Sequence, residues 1–208
     1  MEWTTATVIE QAGEERQIAV RPVQPHGVSE LLVCVPDHPG LFASITSVLD
    51  EMGLDVMSAR VLTTRNGRSF DLFQLMDQHG DVINEVDAEE LVARLHVATS
   101  GREPREPVKR MMPRRLRHFK SGIRVQFSDD PDGEGTVLHL DCSDRPGLLS
   151  RLAAAIYQQD VDVHNARIAT FGERVEDTFL VSDRKLQPLT EETCEQLKQA
   201  IVEGLEKG

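Results

Sequence analysis

The sequence repeats itself. Asp37-His38-Pro39-Gly40-Leu41-Phe42 returns 107 residues later as Asp144-Arg145-Pro146-Gly147-Leu148-Leu149. The offset holds further on, where Ser58-Ala59-Arg60-Val61 answers to Asn165-Ala166-Arg167-Ile168, and becomes 106 at Asp71-Leu72-Phe73 against Asp177-Thr178-Phe179. Self-similarity at a fixed offset means two copies of one structural unit. A chain of 208 residues, long enough for one medium domain or two small ones, is therefore read as two. The extra residue in the first copy falls where a hairpin tip can absorb it.

Each copy has the same coarse pattern. An apolar strand (Leu31 to Val35; Thr136 to Asp141) runs into Asp-x-Pro-Gly, followed by apolar residues at i, i+4 and i+8 that mark one face of a helix, Leu41 to Met52 and Leu148 to Gln159. Proline just inside the start suits a first helical turn. A second strand (Asp55 to Thr64; Asp162 to Thr170) turns into a third (Ser69 to Met76; Val175 to Ser182). Between Val161/Val163 and Ala166/Ile168 the apolar parity switches, which predicts a β-bulge. A last helix closes each unit, Asp87 to Ala98 and Glu191 to Leu205, the latter with Thr190 as N-cap.

Strand, helix, strand, strand, helix is the split βαβ of a ferredoxin-like sandwich, an α+β fold with an antiparallel sheet and both helices on one face. The fourth strand of that fold is missing from each unit. An extra strand precedes each first strand instead, Arg16 to Val23 and Ile123 to Phe127, and is expected to occupy the same sheet edge. The expected organisation is a first domain at 1–100, a basic linker at 101–122 and a second domain at 123–208.

Composition narrows the function. Hydrophobic residues at 39% and charged residues at 28% describe a globular chain, with aromatics at only 4% so that the core must be aliphatic. No apolar run reaches the ~20 residues of a membrane helix, and Met1-Glu2-Trp3-Thr4-Thr5 has no signal-peptide character, so no membrane partner and a cytoplasmic location are expected. Cys34, Cys142 and Cys194 show no metal or disulfide spacing and are read as reduced thiols. A net charge of -12 argues against nucleic acid. Locally, Lys109, Arg110, Arg114, Arg115, Arg117 and Lys120 form a basic stretch, either a docking segment or a neutraliser of the acidic domains. No metal site and no catalytic residue is expected: Asp160-Val161-Asp162 lies at a helix-to-strand turn without partner ligands, and no nucleophile and base cluster together.

The doubled turn is the candidate site. A helix start offers unsatisfied N–H groups and a dipole that favour a carboxylate, and Gly40 and Gly147 allow close approach to the backbone. Asp37 and Asp144 either cap the turn or bind an α-ammonium; His38, Leu41, Arg145 and Leu148 complete the two loops. The competing reading is a purely structural turn.

Asp-x-Pro-Gly-Leu at a strand-to-helix turn inside a βαββα unit resembles the ACT domain, a regulatory module of amino-acid-controlled enzymes. The second copy is more specific. Asp144 to Leu149, His164-Asn165-Ala166-Arg167-Ile168-Ala169-Thr170 and Gly172-Glu173-Arg174-Val175-Glu176-Asp177 follow in order, with Pro113-Arg114-Arg115-Leu116-Arg117-His118-Phe119 before them. Together they look like the C-terminal region of the bacterial bifunctional uridylyltransferase/uridylyl-removing enzymes that modify the nitrogen signal protein PII.

That resemblance implies a glutamine sensor that is not itself an enzyme. Its partners would be L-glutamine or another amino acid, the catalytic domains of a parent chain and PII; exposed sheet edges also lead to side-by-side pairing of such units, within one chain or in a homodimer. No cofactor is implied here; magnesium belongs with the absent catalytic part, whose Gly-Ser and His-Asp motifs this sequence lacks. Related ACT domains hold ligand between the loop and the second-strand start of a paired domain, which nominates Asp55, Asp162, His164 and Asn165. Asn165, donor and acceptor at once, suits a side-chain amide. The Gly172 to Asp177 hairpin is either a solvated turn or a contact to a partner. The alternative class is a free-standing tandem ACT regulator similar to the glycine cleavage repressor.

Overall fold

The structure is a computed structural model that describes residues 15–23, 27–101, 103–107, 122–172 and 174–206. The basic stretch from Lys109 to Lys120, Trp3 and Glu173 lie outside the described residues.

The first copy comprises β1 (Gln17–Val23), β2 (Val28–Pro36), α1 (Leu41–Glu51), β3 (Asp55–Leu62), β4 (Arg68–Met76) and α2 (Glu85–Ala98). The second comprises β5 (Arg124–Asp129), β6 (Thr136–Ser143), α3 (Leu148–Gln158), β7 (Val161–Phe171), β8 (Arg174–Asp183) and α4 (Glu191–Glu206). The extra strands behave as expected: β1 pairs antiparallel with β2, and β5 with β6, at the edge where a fourth strand would lie.

The eight strands form one sheet in the order β1-β2-β4-β3-β7-β8-β6-β5. Its centre is the antiparallel seam of β3 and β7, with Ser58 opposite Ala169, Arg60 opposite Arg167 and Leu62 opposite Asn165. Arg60 and Arg167 are equivalent in the repeat, so a pseudo-twofold axis passes between them. Two edges that would otherwise expose unpaired N–H and C=O groups are thereby satisfied within the chain.

The helices pack in a row, α2 on α1, α1 on α3 and α3 on α4. Their buried faces follow the sequence spacing. Leu197, Ile201 and Leu205 of α4 are fully buried, as are Leu91 and Leu95 of α2, and each such leucine is worth ~1.5–3 kcal/mol relative to exposure. The core crosses the pseudo-twofold axis: Phe42 of the first copy meets Phe179 of the second edge to face, 5.9 Å between ring centroids.

The bulge is present in both copies, between Val163 and Asn165 in β7 and between Val56 and Ser58 in β3. Thr190 caps α4, its hydroxyl accepting from Thr193 N at 3.2 Å. At α2 the cap is Asn84, which accepts from Asp87 N and starts the helix two residues before the expected Asp87.

Gly40 and Gly147 are the N-caps, at φ 79° and 71°, so Pro39 and Pro146 lie in the turn before the helix and not in its first turn. A left-handed residue cannot continue a right-handed helix, so the helix begins after it. Among the described residues no helix is long and apolar enough to cross a membrane.

Candidate functional site

Because the copies pair through β3 and β7, the loop of each faces the second-strand start of the other. Two composite cavities result. The first, about 550 Å³, lies between the Asp37–Leu41 loop and Val161–His164, with Ile156 and Tyr157 of α3 as a wall. The second, about 280 Å³, lies between the Asp144–Leu148 loop and Asp55–Met57, with Leu49 and Asp50 of α1 as the wall. Only the first reaches the ~300–1,000 Å³ usual for small-molecule sites.

The sequence-nominated residues divide accordingly. Asp37, His38, Gly40, Leu41, Asp162 and His164 line the first cavity. Asp55, Asp144, Arg145, Gly147 and Leu148 line the second. Asn165 lines neither: it is exposed and sits opposite Leu62 at the seam. The bulge beside it inserts one residue and turns Ala166 inward, which puts Asn165 on the opposite face.

The first loop is tied down at Asp37. Asp37 N donates to Gly67 O at 2.9 Å, and Thr63 Oγ1 donates to Asp37 Oδ2 at 2.9 Å. Replacing Thr63 by valine is expected to cost about 1–2 kcal/mol in urea unfolding, because a carboxylate loses its hydroxyl donor; an unchanged midpoint would show that Thr63 does not hold this loop. At the turn, Leu41 N donates to His38 O at 3.1 Å. His38 Nε2 is buried without a hydrogen-bond partner among the described residues.

The opposite wall is also held in place. Arg184 bonds Asp162, lies 3.6 Å from Asp160 and stacks over Tyr157 at 5.3 Å from the ring centroid. Burial raises the Asp162 pKa against the lowering effect of Arg184 and His164, and the Asp37 charge across the cavity raises it further. Ser182 Oγ gives its one hydrogen to Asp183 O at 2.8 Å, so the 2.7 Å contact with His164 Nε2 is donated by the histidine. A neutral His164 therefore presents Nδ1 as an acceptor.

Behind the loops lie two carboxyls: Asp71, to which the sequence assigned no role, and Asp177, which the sequence placed in a solvated turn or partner contact and which is instead buried. Asp71 of β4 and Asp177 of β8, equivalent in the repeat, are 1% and 2% exposed. Burial, helped by the charge of the aspartate in its own loop, Asp37 or Asp144, raises each to about 7. Ser69 donates to Asp71 at 2.6 Å and Ala169 N to Asp177 at 3.3 Å. Among the described residues no cluster of three or more His, Cys, Asp or Glu is arranged to hold a metal.

The ACT domain family model matches residues 29–98 and 136–199, the two copies and little else. The chain belongs to the ACT domain family. Both matches run from the first strand of the unit into its last helix, so this is a tandem ACT chain. It is 38% identical over 201 residues to the bifunctional uridylyltransferase/uridylyl-removing enzyme of Xanthomonas axonopodis pv. citri, covering 96% of this chain and 23% of that relative. It is 34% identical over 183 residues to the enzyme of the same description from Pseudomonas fluorescens, covering 86% of this chain and 20% of the relative. The tandem ACT chain thus spans a fifth to a quarter of the length of these relatives. Among solved structures, aspartate kinase from Synechocystis matches with a TM-score of 0.46 and 16% identity, covering 85% of this chain and 27% of that one.

Proposed function

We propose that this tandem ACT chain senses a free amino acid, L-glutamine, and that the sensing biases a bifunctional uridylyltransferase/uridylyl-removing enzyme toward removing the nucleotide from PII in the cytoplasm. One observation carries the reading: the first cavity is composite, with a helix N-terminus from one copy and polar groups of a strand from the other. The ligand carboxylate goes to the Gly40 turn, where the start of α1 favours an anion. Its ammonium goes to the carboxylates of Asp37 and Asp162. The side-chain amide goes to His38 Nε2 and His164, which replace Asn165 in that role.

A ligand can shift an equilibrium only by binding one state better than another. A site assembled from both copies meets that condition, since any change in their relative placement changes the site. On this reading the catalytic machinery and its magnesium are assigned to a part of the parent other than this chain.

Isothermal titration against a panel of amino acids tests the reading. Saturable heat is expected with L-glutamine and much less with L-alanine, which keeps the α-carboxylate and ammonium but has no amide. No heat with any amino acid would sink the sensor assignment; equal heat with all would sink the choice of glutamine.

A further inference from the structure

The two cavities are related by the repeat, yet one wall position differs in kind. Over the Gly40 turn stands Tyr157 of α3; at the equivalent place over the Gly147 turn, 107 residues back, stands Asp50 of α1. A Cβ built on Gly147 would lie 3.0 and 3.1 Å from the two Asp50 carboxylate oxygens. The start of α3 therefore already has a carboxylate against it. Asp50 is 5% exposed, and its Oδ2 accepts from Ser150 Oγ at 3.2 Å.

The donor changes together with the acceptor. Ser150 is equivalent to Ala43, which has no hydroxyl. In the first cavity the atoms nearest a Cβ on Gly40 are all carbon, from Tyr157 and Pro104. The first turn is thus flanked by apolar groups and the second by an anion.

Helix N-termini favour a negative charge, and in α3 the chain supplies that charge itself. A ligand carboxylate entering the second cavity would have to displace Asp50 or sit beside it. Like charges a few ångströms apart in a partly desolvated site oppose each other strongly. Asp177 lines the same cavity, with an Oδ2 that has no hydrogen-bond partner among the described residues. Arg145 directs its guanidinium to Leu205 O at the end of α4, at 2.8 Å.

We propose that Asp50 is an internal carboxylate that closes the second cavity to amino acids, so that of two equivalent cavities only the first binds one. The inference rests on the amino-acid reading of the first cavity. It makes Asp50 and Tyr157 the pair of positions that decides which cavity is open.

Titration of the whole chain with L-glutamine tests it through stoichiometry, which a merely structural role for Asp50 would not raise. The wild type should bind one equivalent, D50A two, and Y157D, which brings a carboxylate to the Gly40 turn, none. Two equivalents on the wild type, one on D50A, or one on Y157D would each overturn the proposal. Should D50A fail to fold, the wild-type stoichiometry and Y157D still decide. One equivalent on both wild type and D50A removes the role of Asp50 and leaves the sensor reading standing; no binding by any of the three removes both.

Discussion

Gly40→Ala is expected to reduce amino-acid binding at the first cavity by tenfold or more and to destabilise the chain by about 2–3 kcal/mol. Gly40 sits at φ 79°, where an L side chain costs ~1–2 kcal/mol. The new Cβ would also lie 2.7 and 2.9 Å from Tyr157 ring carbons and 2.8 Å from Pro104 Cγ, closer than real Cβ atoms come. Something must shift. The Tyr157 ring carries the stacked Arg184, which in turn holds Asp162, so a displaced ring disturbs the opposite wall of the cavity. Gly80→Ala separates the two causes, because Gly80 has φ 82° and nothing within 4 Å of its Cβ position. It should show the backbone cost alone, with binding intact. Urea unfolding and titration on both variants provide the check. Equal stability losses and unchanged affinity in Gly40→Ala would mean that the close approach at this turn has no role in the site.

The same glycines show how far the sequence could be read. The doubled Asp-x-Pro-Gly-Leu, the 3.6-residue spacing of Leu41, Ile45 and Leu49, and the extra strands before Leu31 and Thr136 lead to two ACT units with nearly their observed elements. These signals are local, or repeat at a fixed offset, and local signals survive without coordinates. The placement of Pro39 and Pro146 was misleading because a proline suits both a first helical turn and the turn that a left-handed glycine closes. Asn165 was misread for a subtler reason. The parity switch that predicts the bulge also reverses the face of every residue beyond it, and Asn165 is the first.

What pairs with what across the seam was not legible. The strands β2, β3, β6 and β7 all carry apolar residues, and nothing in Ser58–Leu62 names Asn165–Ala169 as its partner. Without that seam, the resemblance sets Asp162 and His164 against the loop of a paired domain without saying that the partner is the other copy in the same chain, and nothing assigns Asp50 to Gly147. The signal for Asp50 was nevertheless present. In helices whose apolar positions match at an offset of 107, an aspartate answering to a tyrosine is an unequal exchange at a place where the copies otherwise agree.

Asp71 and Asp177 should give this chain a stability that falls as pH rises, the reverse of the usual behaviour of folded carboxylates. The pKa of both is raised from 3.8 to about 7 in the folded state, by burial first and then by the neighbouring loop aspartate, Asp37 or Asp144. Between about pH 4 and 7 the native state holds two protons that the unfolded chain has released, so the unfolding free energy decreases with pH. Below about pH 4 both states are protonated and the stabilisation is fully present; it is lost as pH passes through about 7. The expected slope is on the order of 1 kcal/mol per pH unit for each group. Asp71→Asn keeps an oxygen to accept from Ser69, and Asp177→Asn keeps one to accept from Ala169 N. Each variant should remove about half of the slope, and the double variant nearly all of it, leaving the chain more stable than wild type at pH 8 and less favoured at pH 4.5. Urea midpoints measured at half-unit steps from pH 4.5 to 8 decide the matter. A flat wild-type profile, or a slope that persists in the double variant, would show that these two carboxyls are not the protons that folding retains.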